Sequence, residues 1–308
     1  MAIRQCPQCG AAVDAADATL ATTCAFCDSP LVDGSEGSAP VDFVVPFTLD
    51  RARAAALLKG HLQGQWLAPE AIRHAARAEG IDAVLVPFYA FDAICRTMWS
   101  TDVGIEWQRT ETYTTTGPNG ETRTETRTVT ETEWFPLGGT HVRHWKGNLV
   151  SASKGLPEQE ANQLEPFDLG RARPFSASLT AGVLAEHPTI PHETATDVAR
   201  NELAALEKHA IASELLPGDK HRNLDTTSQI DVQGTKLYLL PVWIAAYKTD
   251  QGVFRLLVNG QTGEVVGKVP RSKMKVLALV LTLLVALVLV LGVCLFGGAV
   301  VSCLGGGG

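Results

Sequence analysis

An α+β fold is predicted, framed by a cysteine-rich module at the N-terminus and a long apolar helix at the C-terminus. Three observations carry that prediction. Two C-x-x-C pairs, "CPQC" and "CAFC", stand at residues 6–9 and 24–27. Residues 276–296 hold 21 consecutive positions without a charge. Between these ends, strand-like and helix-period stretches succeed one another twice in the same order.

The first 34 residues read as a zinc ribbon. Thiolates from Cys6, Cys9, Cys24 and Cys27 complete a tetrahedral set with Zn–S near ~2.3 Å. Four sulfurs leave no position for water, so the expected zinc is structural rather than catalytic; iron in the same set is the alternative. Cys95 stands alone in an apolar run, and Cys294 and Cys303 lie in or beside the apolar tail. This is not the dispersed pattern of a secreted disulfide scaffold. Met1 to Gln5 runs into Cys6 without an apolar stretch, so no secretory leader is expected and the thiolates belong in a reducing cytosol.

Charge narrows the partners. The formal net charge is -7, and in the ribbon Arg4 faces Asp14, Asp17, Asp28 and Asp33. A nucleic-acid protein held by phosphate contacts carries a basic face instead, so nucleic acid is not an expected partner.

Residues 35–40, rich in Gly, Ser and Pro, read as a linker. A first α+β unit is expected over 41–163. Its "VVPFTLDRAR" leads from a strand into a helix, and "AVLVPFYAFDAICRTMW" is a buried strand. Inserted at 110–132 is a stretch in which 11 positions are Thr, alternating with Glu and Arg around P-N-G. Alternation about a turn signal predicts a projecting β-hairpin. The second unit, 164–270, repeats the order: "EPFDLGRARP", a helical "HETATDVARNELAALEKHAIASELL", then "LYLLPVWIAAYKTD". Two related units with antiparallel sheets are expected from that duplication. A single transmembrane helix is expected over 276–301. At ~1.5 Å per residue its uncharged core reaches about 30 Å, one hydrocarbon thickness. Lys268, Arg271, Lys273 and Lys275 flank it on one side. Positive-inside logic then predicts a single-pass, tail-anchored protein of the cell membrane with a cytoplasmic N-terminus.

Catalytic signatures are missing from the sequence. His192-Glu193 starts a zincin-like motif, but position 196 is Thr. His141 and His144 fall on opposite faces of a strand. Neither G-x-x-x-x-G-K-[ST] nor G-x-S-x-G occurs, and Cys95 reads as a buried structural thiol. The aromatic strands "PFYAF" and "PVWIAAY" read as core.

"CPQCG…CAFC", the "VPF…L" opening, "VPFYAFDA", "LPVWIAAY" and "VNGQTGEVVGKVPRSKMK" together resemble a group of bacterial zinc-ribbon membrane proteins. Members are often labelled primosomal helicase, or replication factor Y, on the strength of shared zinc knuckles. This chain lacks the helicase's Walker motif and size. The resemblance implies a fold plan, zinc and membrane association, and no catalytic site. The expected function is that of a membrane-anchored, non-enzymatic adaptor or assembly factor, with the ribbon and the hairpin contacting proteins at the cytoplasmic membrane face. The alternatives are a small-ligand binder or enzyme using a groove between the two units, and a nucleic-acid-associated ribbon. Replacing Cys24 and Cys27 by Ser is expected to release bound zinc and unfold the first 34 residues while the body stays folded, as read by metal analysis and limited proteolysis.

Overall fold

In this computed structural model the described residues are 41–73, 80–116, 121–180, 182–249 and 252–304, with four short strands between residues 2 and 32. Those strands are β1 (Ala2–Gln5), β2 (Ala12–Ala15), β3 (Thr19–Thr23) and β4 (Pro30–Val32). Next come β5 (Phe43–Val44), α1 (Arg51–Gly64), α2 (Glu70–Arg73), β6 (Ile81–Thr116), β7 (Thr122–Ser151) and α3 (Glu158–Leu164). The rest are β8 (Arg173–Pro174), β9 (Leu184–Glu186), α4 (His192–Ala210), β10 (Lys220–Thr249), β11 (Gly252–Asn259), β12 (Val265–Val266) and α5 (Lys273–Leu304).

The fold class expected from sequence is corrected. Strand outweighs helix, 48% against 30%, and besides the β1–β2 pair the strands form a ten-stranded mixed sheet. It is mixed because β5 runs parallel to β10, Tyr238 opposite Phe43. That pairing joins residues far apart in sequence, which local turn signals cannot announce. The duplication is corrected too. Pro46-Phe47 leads into the 14-residue helix α1, whereas Pro166-Phe167 leads into one 3₁₀ turn, Leu169–Arg171, and the two-residue β8. Pro174 in the second copy removes a backbone donor and stops a helix where the first copy has Ala54.

Helix α5 also departs from expectation. It runs over Lys273–Leu304 and opens with Lys273 and Lys275 in its first turn. Among the described residues no helix is long and apolar enough to cross a membrane. This overturns the transmembrane helix over 276–301 and the tail-anchored, single-pass placement built on it. Lys275, counted as a flanking charge, donates to the carbonyls of Trp66 (3.1 Å) and Ala68 (2.9 Å).

The chain divides into two compact units, one of 1–45, 86–162 and 169–240, the other of 46–85, 163–168 and 241–308. In the first, α4 buries Ala195, Ala199, Leu203, Glu207 and Ala210, a stripe at helical spacing. Ala195 and Ala199 let the helix approach Tyr89, Phe91, Val150 and Leu237 closely. Leu203 then packs on Ala93 and Cys95.

In the second, Asp50 caps α1 by accepting from Arg53 N at 2.7 Å, which satisfies an otherwise unpaired helix donor. Ala54, Leu58 and Leu62 turn inward onto Ile81, Trp243, Ala245, Leu256 and Val258. The turn after β11 holds this unit's loops together. Buried Asn259 donates through Nδ2 to Leu164 O (2.7 Å) and Pro166 O (3.0 Å). Its Oδ1 accepts from Gln261 N (2.8 Å) and Thr262 N (3.0 Å). Gly260 is required beside it, since a Cβ there would stand 2.7 Å from Phe47 and 2.8 Å from Pro241.

Asn259→Ala strands two buried carbonyls and two turn amides at about 1–3 kcal/mol each when unpaired. A loss of about 3 kcal/mol or more is expected in urea unfolding. Asn259→Asp keeps the two turn bonds but sets a buried carboxylate oxygen against the Leu164 and Pro166 carbonyls, and should lose at least as much.

Candidate functional site

The pairing of β6 with β7 runs without a break in direction from Phe88↔Ser151 to Thr116↔Thr122, with one register shift between Phe91 and Ala93. The one extra residue falls on β7, where Gly147 takes φ +66° and its N–H donates to Asp92 Oδ1 at 2.8 Å. A bulge of this kind adds twist to the ribbon. Past residue 104 both strands are largely exposed and form an arm.

Because side chains alternate across a strand, the register sorts the arm into two surfaces. One is a ladder of hydroxyls, with Thr110↔Thr128, Thr112↔Thr126, Thr114↔Thr124 and Thr116↔Thr122 in direct opposition. Thr is stiff and strand-favouring, and such cross-strand pairs stabilise a ribbon. The other surface takes the charges. Arg109 bridges Glu111 (2.5 Å) and Glu131 (2.7 Å), and Arg127 bonds Glu111 (2.9 Å). Tyr113 donates to Glu125 at 3.0 Å, with Arg127 lying 5.6 Å over its ring. The Arg127 guanidinium bonded to Glu111, with Arg109 beside it, holds that carboxyl below its ordinary range.

At the root of the charged surface lies an apolar strip. Leu137 and Phe135 stand opposite Thr101 and Val103, and Ile105 and Trp107 come next on the other strand, opposite Glu133 and Glu131. Their exposures are 37% for Leu137, 42% for Phe135, 49% for Ile105 and 44% for Trp107. A single exposed apolar side chain is ordinary, whereas these four neighbours together form an apolar patch.

Closer to the core, the same face is pinned by α4. Glu207 is fully buried and its carboxylate accepts from His141 Nδ1 (2.9 Å) and Trp145 Nε1 (2.6 Å). Arg143 stands 3.8 Å away and bonds Glu214 at 2.6 Å. Glu214 lies in a π-helical turn, Ile211–Leu215, that ends the helix. A buried carboxylate is tolerated only when its oxygens are hydrogen-bonded, and here β7 supplies the side-chain partners. Cys95 lies under the same helix. Burial, with the Glu207 charge nearby, pushes its thiol up to about 11, so it is not an activated nucleophile.

Of the residues singled out from sequence, Cys6, Cys9, Cys24 and Cys27 lie outside the described residues. Each C-x-x-C falls in the stretch joining two antiparallel strands, β1 to β2 and β3 to β4. Among the described residues no group of three or more His, Cys, Asp or Glu is placed to hold a metal ion, which corrects the expectation of a metal-binding chain as far as those residues go. His192 packs against the Tyr89 and Phe91 rings at 5.4 and 5.8 Å. His141 faces Glu207, while His144 is exposed on the opposite face. Glu207 was missed by sequence reasoning, although a carboxylate four residues beyond Leu203 in an apolar stripe is a visible signal.

No protein-family model matches the chain, so the zinc-ribbon and primosomal labels gain no support there. No solved structure matches it either. The chain is 26% identical over 254 residues to "Uncharacterized protein YdjG" of Bacillus subtilis (strain 168), an alignment covering 80% of this chain and 69% of that protein.

Glu207→Ala leaves His141, Trp145 and Arg143 without their buried acceptor, and a loss of about 3–5 kcal/mol is expected in chemical denaturation. Glu207→Gln, which keeps a carbonyl acceptor for Trp145, should fall between that variant and the natural chain.

Proposed function

We propose that the chain is a non-enzymatic adaptor or assembly factor that works through protein–protein contacts, and that the β6–β7 arm makes them. The observation that carries this reading is the exposed strip of Leu137, Phe135, Ile105 and Trp107 at the arm's root. Interface cores are rich in aromatic side chains, and a polar rim keeps water from them. The paired charges of Arg109, Glu111, Arg127 and Glu131 form such a rim. The net charge of -7 favours a protein partner over nucleic acid.

Structural zinc at Cys6, Cys9, Cys24 and Cys27 belongs to the same proposal. It rests on the paired spacing and on the position of each pair between two strands. In this reading the metal organises a small module and takes no part in a reaction.

Affinity capture tests the adaptor reading directly. The natural chain should retain protein partners through washing. Trp107→Ala combined with Phe135→Ala should cut their recovery by at least about tenfold, as expected for hot-spot aromatics, with the melting temperature unchanged. A natural chain that is recovered alone, or a double variant that retains its partners in full, would count against the proposal.

A further inference from the structure

The Thr-bearing face of the arm continues inward to a hollow of about 480 Å³, whose lining includes Ser100, Asp102, Pro136, Gly138 and Asn223. Gly138 stands directly opposite Ser100 in the ladder and puts no side chain into that space. A Cβ at Gly138 would come 3.0 Å from the Trp99 carbonyl oxygen, so the open space goes with a close backbone approach.

The polar wall is held in place. Asp102 Oδ2 accepts from Arg222 Nε (3.2 Å) and from Asn223 Nδ2 (3.1 Å). Arg222 is itself stacked on Trp134, 4.2 Å from the ring centroid. Asn223 has φ +56°, and among the described residues it is the only non-glycine residue with positive φ. Such a backbone costs free energy and persists where its surroundings dictate it. Here it turns the amide onto Asp102. Asp102 Oδ1 and Ser100 Oγ, by contrast, make no hydrogen bond among the described residues.

We infer that this hollow binds a small neutral polyol or monosaccharide, whose hydroxyls donate to Asp102 Oδ1 and Ser100 Oγ. The chemistry of the wall selects that class. Arg222 offsets the charge of Asp102, so neither a cation nor an anion is drawn in by the site's own field. What remains is a pair of oxygen acceptors open to a ligand's donors, beside the apolar edge of Pro136, which suits the C–H surface of a sugar. The volume lies in the range of small-molecule sites. Its openness leaves much of the ligand wet, so a Kd on the order of 1–10 mM is expected.

Amide NMR spectra of the full chain, titrated separately with sorbitol, methyl β-D-glucopyranoside, arginine and inorganic phosphate, test the inference. Saturable shifts at Ser100, Gly138 and Asn223 are expected with at least one of the two polyhydroxy probes. Ser100→Ala should weaken binding by about 3–10-fold through one lost hydrogen bond. Asn223→Gly keeps the left-handed backbone without strain and should weaken binding similarly by releasing Asp102. The inference is overturned if neither polyhydroxy probe gives a saturable shift, if arginine or phosphate binds as tightly, or if both variants bind as the natural chain does.

Discussion

The antiparallel pairing of β6 with β7 is the constraint on which the first unit depends. It fixes which residues stand opposite one another from Phe88↔Ser151 to Thr116↔Thr122. A two-residue periodicity then decides everything that each face presents. On one face, moving outward, come Tyr89 and Phe91 under α4, then Cys95 opposite Arg143, then the apolar strip, then the ion pairs. On the other, the hollow beside Ser100 gives way to the Thr ladder. A slip of one residue would exchange the two faces of a strand, bringing Asp92, Ile94 and Arg96 to where Phe91, Ala93 and Cys95 now stand.

The interaction that prevents that slip is chemically distinct along the ribbon. Near the core, apolar burial does it, through Tyr89, Phe91, Val150 and Ala152 packed on Ala195 and Ala199. Farther along, Glu207 does it, because a buried carboxylate tolerates only the arrangement in which His141 and Trp145 both reach it. Apolar contacts are non-directional and accept small shifts, whereas a hydrogen-bonded carboxylate does not. Glu207 therefore adds positional specificity at the end of α4, where the packing stripe of small and aliphatic residues gives out.

How much of this was legible in the sequence differs from element to element. The alternation of Thr with Glu and Arg around P-N-G marks a hairpin, because its period is local and its turn residues are distinctive. The stripe of α4 is equally local. Glu207 stands in plain view within that stripe, but its partners lie 66 and 62 residues away and nothing local points to them. The parallel contact of β5 with β10 is hidden for the same reason. The apparent duplication misled because similarity in "PFTLDRAR" and "PFDLGRAR" concerns the entry to an element, while Pro174 decides which element is built after it. The apolar tail misled because hydropathy reports composition, whereas Lys275 directs its charge to the carbonyls of Trp66 and Ala68.

A two-stranded ribbon with no third strand and no covering helix is marginal in water, so the outer arm needs its own source of order. Thr supplies stiff χ1 angles and cross-strand pairing on one face. Interlocked charges on the other face add directional contacts and make the open edges poor templates for unwanted strand addition. The same two features leave the arm with almost nothing of its own to bury. The apolar strip at its root is the exception, since Ile105, Trp107, Phe135 and Leu137 contribute little to holding the ribbon together and yet remain in water. Side chains of that size, exposed together on an element otherwise built from Thr and paired charges, are accounted for when a partner covers them. The order of the arm and the contact surface proposed for it thus rest on different residues.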